Sequence, residues 1–349
     1  MPVTAVPGTD QSYERFGLIV NGPALFNAVV TGLELDIFGY LFRHPDAGAA
    51  ALQNFTGLPP HKLRVLLHAL CSTELVDKTD DGYRNSPAAE ELLASDGPDS
   101  WRAILLGWKH IYYPAFSHLT SALRAGTNTA LSAFPGTEPT LYQRLAHDPE
   151  SEAILHASMA AFTLRSMSGL LDNPEVATVR HLLDVGGGDG TTATRFAARY
   201  PGATVTIFDM PSVSGLAEHN IPPEVVGRVR VHPGDLFADR FPGDVDAILF
   251  SHVLEVFSAE QIQTLLAKAF DALPAGGRVF VYGFNASDDE RRGIYSARLS
   301  LYLNVLASGE GMAYPASDYE SWMRRAGFAA VTSFADLPYE HGLHVGTKA

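Results

Sequence analysis
The chain has 349 residues, 46% hydrophobic and 18% charged, which gives material for two or three packed units and excludes a disordered or fibrous protein. Its formal net charge of −14 opposes a phosphate backbone or an anionic membrane surface, and no basic cluster offsets it. The single cysteine, Cys71, excludes an internal disulfide and any multi-cysteine metal site.

In chain order, Met1–Asp10 is short of large apolar side chains and is expected to lack order. No run of 18 apolar residues and no basic-then-apolar leader is seen, so the expectation is a soluble, cytoplasmic protein with no membrane partner. Ala24–Phe42 carries Phe26, Val29, Val30, Leu33, Ile37 and Leu41 at helical spacing. Ala49–Phe55 and Pro59–Ser72 read as two further helices, the second opened by Pro59-Pro60, since proline is tolerated in a first turn. Cys71 follows Leu63, Leu66, Leu67 and Leu70 there and is expected to be a buried structural thiol. Leu75–Thr79 and Tyr83–Ser86, joined by Asp80-Asp81-Gly82, read as a hairpin.

Helices followed by a hairpin make a winged helix-turn-helix outline. A DNA reader would lay Pro60–Ser72 in the major groove, but that helix offers only Lys62 and Arg64 as fixed cations, and the wing tip is acidic. A dimerisation module over residues 1–100, with no nucleic-acid partner, is the preferred reading. A small-molecule-responsive regulator is the non-enzyme alternative, to be separated from it by a salt-dependent gel shift.

Residues 101–175 form a second, helical region, interrupted by the Gly/Pro/Thr-rich loop Ala125–Thr140. Trp108, His110, Tyr112, Tyr113, Phe116 and His118 suit either a core or a pocket for a flat, partly polar ligand. His110, Tyr113 and Phe116, with Met159 and Phe162 further on, are the pocket candidates.

From residue 176 to 349 short β-branched runs alternate with helical stretches, as an α/β fold requires. The run Val179–Asp184 reads as a strand, Asp184-Val-Gly186-Gly187-Gly188-Asp-Gly190 as a tight turn, and Thr191–Tyr200 as a helix. That context lets a backbone without side chains approach a ligand at a helix N-terminus. A second strand, Ala203–Phe208, ends at Asp209, about twenty residues past the glycines, where a carboxylate can accept both hydroxyls of a ribose. Asp184 and Asp189 would repel the pyrophosphate of a dinucleotide but suit a ligand with ammonium and sulfonium centres, so S-adenosylmethionine is the expected cofactor. Gly186, Gly188, Asp209 and Met210 are assigned to it. Asp235, Leu236 and Phe237, after a third strand at Val229–Val231, are assigned to adenine, and Ser251 closes a fourth strand, Asp246–Phe250. Arg278–Tyr282 is a fifth strand, and Ala330–Phe334 with Leu343–Thr347 a terminal antiparallel pair. In Gly293–Tyr314, Tyr302 and Met312 are pocket candidates, with Gly309-Glu-Gly311 supplying flexibility.

These landmarks, with Phe208-Asp209-Met-Pro211, Gly234-Asp235-Leu-Phe237, Ser251-His-Val-Leu254 and Leu273-Pro-Ala-Gly-Gly277, resemble the plant caffeic acid-type O-methyltransferase family and its bacterial natural-product relatives. The resemblance spans nearly the whole chain and implies that Ser251 touches the donor. It implies a Rossmann-like class I methyltransferase domain with a seven-stranded, mostly parallel sheet, preceded by a mainly helical winged-helix dimerisation domain, and a homodimer. One position departs from it. Family members commonly read His-x-Leu-His-Asp-Trp, the second histidine being the base, where this chain has His252-Val-Leu-Glu255-Val-Phe257.

Glu255 and His252 are therefore the catalytic candidates. Glu255 is a base tuned by burial, an anchor for the acceptor, the mark of a member turned to non-methylating chemistry, or a solvent-facing helix-start residue. His252 is expected to be structural, and His110, His118 and His156 are alternative bases that packing explains more simply. No metal site is expected. The expected activity is O- or C-methylation of a small aromatic natural-product intermediate, with an α-keto-acid or other activated-carbon acceptor as the alternative.

Overall fold
In the computed structural model, which describes residues 11–349, helix α1 spans Gln11–Glu34 and α2 spans Ile37–Arg43. The lack of order expected over Met1–Asp10 lies outside the described residues. The pattern across Ala24–Phe42 is split between these two helices. Asp36, at φ 52°, takes a left-handed turn that no continuous helix accommodates. Helix α3 (Ala49–Thr56) ends on Gly57 at φ 69°. Helix α4 (Pro60–Ser72) starts with proline at its first position and buries Leu63, Leu67 and Leu70, one stripe of a 3.6-residue repeat. Cys71 is half-buried rather than buried, although burial still pushes its thiol up. Strands β1 (Val76–Lys78) and β2 (Tyr83–Asn85) pair antiparallel.

Within α1, Ser12–Glu34 is long and apolar enough, by length and composition alone, to cross a membrane, which the reading of no 18-residue apolar run did not anticipate. Tyr13, Phe16, Leu18, Ile19 and Val20 along it are exposed.

The chain divides into two compact units, one ending at Lys109 and the other running from His110 to Ala349. The second holds a seven-stranded sheet in the order β5-β4-β3-β6-β7-β9-β8. Its strands are β3 (His181–Val185), β4 (Thr204–Asp209), β5 (Val229–Pro233), β6 (Ala247–Ser251), β7 (Arg278–Phe284), β8 (Ala330–Leu337) and β9 (His341–Thr347). The first five are parallel and β9 is antiparallel to both β7 and β8. Apolar side chains cover both faces. Leu182, Val205, Ile207, Leu249 and Phe280 lie in one cluster, and Leu183, Val185, Phe208, Phe250 and Val281 in the other, as a parallel sheet with helices on both sides demands.

The strand order reverses between β3 and β6, which puts a crevice at their carboxyl ends. Two segments meet in it, the glycine turn after β3 and the turn Ser251–Glu255 after β6. A Cβ on Gly186 would come 2.6 Å from Val253 Cγ2, and Gly186 itself has φ +71°. Glycine here satisfies both the backbone and the neighbour. The helix after β6 (Ala259–Ala272) is opened by a capping box, Ser258 with Gln261.

Candidate active site
Asp184 sits one residue before the end of β3 and is 0% exposed. Neither of its carboxylate oxygens accepts a hydrogen bond among the described residues. Burial, and then the neighbouring Asp209 and Asp189, push its carboxyl up to about 7. A buried carboxylate left so is costly, and a cationic ligand in the crevice would offset that cost.

Asp209 closes β4, and its two oxygens accept from the backbone N–H groups of Gly188 (2.7 Å) and Met210 (2.7 Å). Those bonds oppose the upward push that burial gives this carboxyl. Gly188 has φ +59° and Gly190 φ +81°, backbone that favours glycine, and the Gly186 and Gly190 N–H groups donate to the carbonyls of Phe208 (2.8 Å) and Gly187 (3.0 Å). Asp235 is exposed; its Oδ1 accepts from the N–H groups of Phe237 and Ala238, both at 2.8 Å, which holds its carboxyl below the usual range. Leu236 packs at the edge of a core cluster, and Phe237, 42% exposed, lies edge-on to Phe257 at 5.2 Å. Ser251 Oγ lies 3.3 Å from His252 Nδ1. A cavity of about 370 Å³ beside the glycine turn is lined by Glu152, His156, Asp189, Ser212, Val213 and Asn220.

Glu255 lies in a short 3-10 turn, Leu254–Val256, and is 3% exposed. Its solvent-facing alternative is therefore overturned. Its Oε1 accepts the N–H of Phe284 at 2.9 Å, whereas Oε2 is buried without a hydrogen-bond partner among the described residues. Burial pushes the carboxyl up to about 7 against those backbone bonds. Two glycines make room for it. A Cβ on Gly283 would overlap the Glu255 carboxylate, and one on Gly311 would overlap its backbone carbonyl. Gly309 and Gly311, read in the sequence as a source of flexibility, are positions of close backbone approach with φ +80° and +79°.

His252 is held in place rather than poised as a free base. Its Nε2 lies 2.8 Å from His341 Nε2. His341 Nδ1 faces the carbonyls of Pro338 (2.9 Å) and Tyr339 (3.1 Å) and must be the donor there, since carbonyls only accept. His341 Nε2 is then an acceptor and His252 Nε2 carries the hydrogen between them. Both rings are neutral, with burial the largest cause: His252 is pushed well below its usual range and His341 down to about 4.

Phe284, whose N–H holds the carboxylate, belongs to an aromatic wall. Phe162 packs against Phe284 at 5.3 Å, Tyr295 at 6.2 Å, Tyr339 at 5.5 Å and His341 at 6.1 Å. Tyr112 lies 4.0 Å from Tyr302, and the Tyr302 hydroxyl is buried without a hydrogen-bond partner among the described residues. The charge of Glu255 bears on Tyr142 and on Tyr319. Of the candidates read from sequence, Phe162 and Tyr302 lie in this wall. Tyr113 and Phe116 pack together at 5.6 Å, and Met159 and Met312 are half-buried. His110 and His118 are exposed instead, and His156 lies beside Asp209.

The misplaced stripe has a physical cause. Trp108–Tyr112 is a π-helical turn, whose extra residue rotates the faces that a 3.6-residue repeat assigns. Tyr112 turns inward and His110 outward. Arg298 was missed although it carried a signal, a charge between Tyr295 and Tyr302 on one helical face.

The family model for the O-methyltransferase domain matches residues 116–329. The L-tyrosine C(3)-methyltransferase of Streptomyces lavendulae is 27% identical over 339 residues, 96% of this chain and 93% of that protein. The tetracenomycin polyketide synthesis 8-O-methyl transferase of Streptomyces glaucescens is 31% identical, over 88% of this chain and 89% of its own length. Among solved structures, the S-adenosylmethionine-dependent methyltransferase SibL in its apo form superposes with a TM-score of 0.84 at 33% identity, covering 96% of this chain and 98% of that one.

Proposed function
Since this chain belongs to the plant-type O-methyltransferase family and is an S-adenosylmethionine-dependent methyltransferase of the natural-product branch, we propose that it methylates a small phenolic acceptor with Glu255 as general base. The observation that carries this reading is the Glu255 carboxylate, buried, with one oxygen unpartnered, on the turn that packs against the glycine loop.

The residues fit the cofactor. The unpartnered carboxylate of Asp184 suits its positive charges, Asp209 its ribose, the loop of Gly186 and Gly188 its amino-acid end, and Asp235, Leu236 and Phe237 its adenine, with Met210 and Ser251 alongside. Bound S-adenosylmethionine supplies an electrophilic methyl group on a sulfonium leaving group. The chain then has two tasks, to align the acceptor and to take its proton. A phenol has a pKa near 10 and an ordinary glutamate is a weak base for it. At about 7, Glu255 is much better matched. Its Oε1 stays fixed by Phe284 N–H, so Oε2 receives the proton.

Carbon methylation is the second reading, favoured by the likeness to an enzyme named for C(3) methylation of L-tyrosine. Removing the phenolic proton makes the ortho carbon nucleophilic; after methyl transfer the carboxyl returns its proton to the ring oxygen, and the carboxylate so freed takes the ring proton as the ring rearomatises. Product analysis by proton NMR separates the two. Loss of an aromatic C–H signal means carbon transfer; a new methoxy signal with all ring protons kept means oxygen transfer.

We also assign the enzyme to a homodimer in the cytoplasm. The exposed row Phe16, Ile19 and Val20 on α1 supports a helix that a second copy covers, and the preceding units are then a winged-helix dimerisation domain over 1–100 and a pocket-forming region over 101–175.

A further inference from the structure
Strand register sets Ser251 in the donor crevice. Val185 pairs with Phe250 across β3 and β6, so Ser251 comes level with Gly186, where the glycine turn begins. Asp184 pairs with Leu249, and side chains two apart on a strand share a face. Ser251 therefore stands on the same face of the sheet as the Asp184 carboxylate, which accepts no hydrogen bond among the described residues. Ser251 also opens the turn that carries Glu255.

The direction of the Ser251 hydroxyl is settled by a row of hydrogen bonds behind it. Its Oγ lies 3.3 Å from His252 Nδ1, and His252 Nε2 lies 2.8 Å from His341 Nε2. At the far end, the carbonyls of Pro338 and Tyr339 take the Nδ1 hydrogen of His341. Burial keeps both rings neutral, and a neutral imidazole has one N–H. His341 Nε2 then accepts, His252 Nε2 donates, His252 Nδ1 accepts, and the Ser251 hydroxyl donates to it. The Ser251 hydrogen is thus spent on His252, and its oxygen is left with lone pairs for the crevice. With the opposite tautomers, the hydroxyl hydrogen would face the crevice instead.

Both histidines are held for this arrangement. His252 has φ 56°, a left-handed backbone that is costly for a residue with a side chain. Its N–H donates to the Tyr282 carbonyl at 2.8 Å, and its ring meets Tyr282 at 5.5 Å and Phe284 at 5.9 Å, both edge-on. His341 is 1% exposed. Its neighbour Glu340 is tied to the helix Ile294–Tyr302, accepting from Ile294 N–H (2.7 Å), Ser296 N–H (2.9 Å) and Ser296 Oγ (3.0 Å).

Asp184 and Ser251 therefore offer one corner of the crevice acceptors alone. Ser251 lies between the glycine turn and the turn of Glu255, on the side where a sulfonium presenting its methyl group to an acceptor belongs. We propose that His252 and His341 are positioning residues for the donor: they fix the Ser251 hydroxyl as an acceptor, which favours the sulfonium of S-adenosylmethionine over the uncharged sulfur of S-adenosylhomocysteine and so disfavours retention of the spent product. This rests on the methyltransferase reading above.

Two measurements test it. In wild-type protein with isotope-labelled histidine, ring-nitrogen NMR shifts report the tautomers, with signals assigned through His252→Gln and His341→Gln. The expected result is Nε2–H at His252 and Nδ1–H at His341; Nδ1–H at His252, or a charged ring at neutral pH, overturns the proposal. The second is calorimetry with S-adenosylmethionine and S-adenosylhomocysteine. Ser251→Ala should shift the ratio of the two affinities about tenfold towards S-adenosylhomocysteine, the worth of one hydrogen-bond acceptor facing a charge. His341→Phe, which takes away the acceptor for His252 Nε2–H, should shift the ratio the same way, and in the Ser251→Ala background it should add nothing. His341→Gln, whose amide oxygen can accept that hydrogen, should restore the wild-type ratio. An unchanged ratio in Ser251→Ala, or independent effects of Ser251→Ala and His341→Phe, overturns the proposal. Should His341→Phe fail to fold, the tautomers and the Ser251→Ala ratio decide it. Wild-type protein that binds neither compound would instead strike the methyltransferase reading itself.

Discussion

Replacing Glu255 by glutamine separates its chemical role from its structural one. The amide oxygen can still accept from Phe284 N–H, as Oε1 does at 2.9 Å, so the turn keeps its anchor while the base is removed. General-base catalysis contributes roughly 10²–10⁴ in rate, and turnover is expected to fall by that range, with the Kd for S-adenosylmethionine unchanged within twofold. Stability should move the other way. The carboxyl rises from its ordinary 4.5 to about 7 on burial. At about 1.4 kcal/mol per tenfold in proton affinity, the ionised group costs the folded protein about 3 kcal/mol. Below about pH 4.5 the group is protonated in both states and this cost is absent. As pH rises from there through about 7, the unfolded chain ionises first and wild-type stability drops. Glu255→Gln lacks that titration, so its Tm should match wild type at pH 4.5 and exceed it at pH 8. Turnover and Tm measured at half-unit steps from pH 4.5 to 9 check both halves. Wild-type turnover in the variant across pH 6–9 would falsify the base assignment, and a Tm difference that does not grow with pH refutes the burial account.

Gly283→Ala forces a Cβ into the Glu255 carboxylate and should lower kcat at least tenfold with cofactor affinity retained, read by calorimetry beside steady-state rates. Asp209→Ala frees the Gly188 and Met210 N–H groups and should weaken S-adenosylmethionine binding by about 10–100-fold, taking one lost charge-assisted bond at about 1.5–3 kcal/mol; unchanged affinity removes Asp209 from the site. His341, held near 4 against an ordinary 6.5, makes the folded state lose stability as pH falls from about 6.5 towards 4, because the unfolded chain takes the proton first. His341→Asn should flatten that part of the stability curve, with denaturant midpoints at pH 4.5, 5.5 and 7 as the measure. Phe16→Asp with Ile19→Asp places charge on the exposed row of α1 and should yield a monomer by light scattering; a dimer of wild-type size excludes that surface.

The donor side was legible because its information is local. Strand, glycine turn and helix follow one another in a single short segment, and Asp209 ends the next strand, so periodicity and spacing suffice. Glu255 was visible only as a departure at one position. Its burial depends on Phe284 N–H, on Gly283 and on Gly311, which are distant in sequence and meet only when β7 lies beside β6. The acceptor wall was read least well. Helical spacing assigns faces correctly while the helix is regular, and the π turn at Trp108–Tyr112 breaks that condition for His110. The same failure divided Ala24–Phe42 at Asp36, where one left-handed residue ends a pattern that looked continuous. The pairing of His252 with His341 joins residues on two different strand ends and had no local signal at all.

The clamp of Glu340 on the first turn of Ile294–Tyr302 bears on how the enzyme is made. The strands that frame the donor loop, β3 to β6, are complete by Ser251, whereas Glu340 and His341 leave the ribosome far later. During synthesis the cofactor site can therefore assemble before the helix bearing Arg298 has its N-terminal anchor. A ribosome-arrested series, stopped before and after Glu340, would show when that helix gains its anchor.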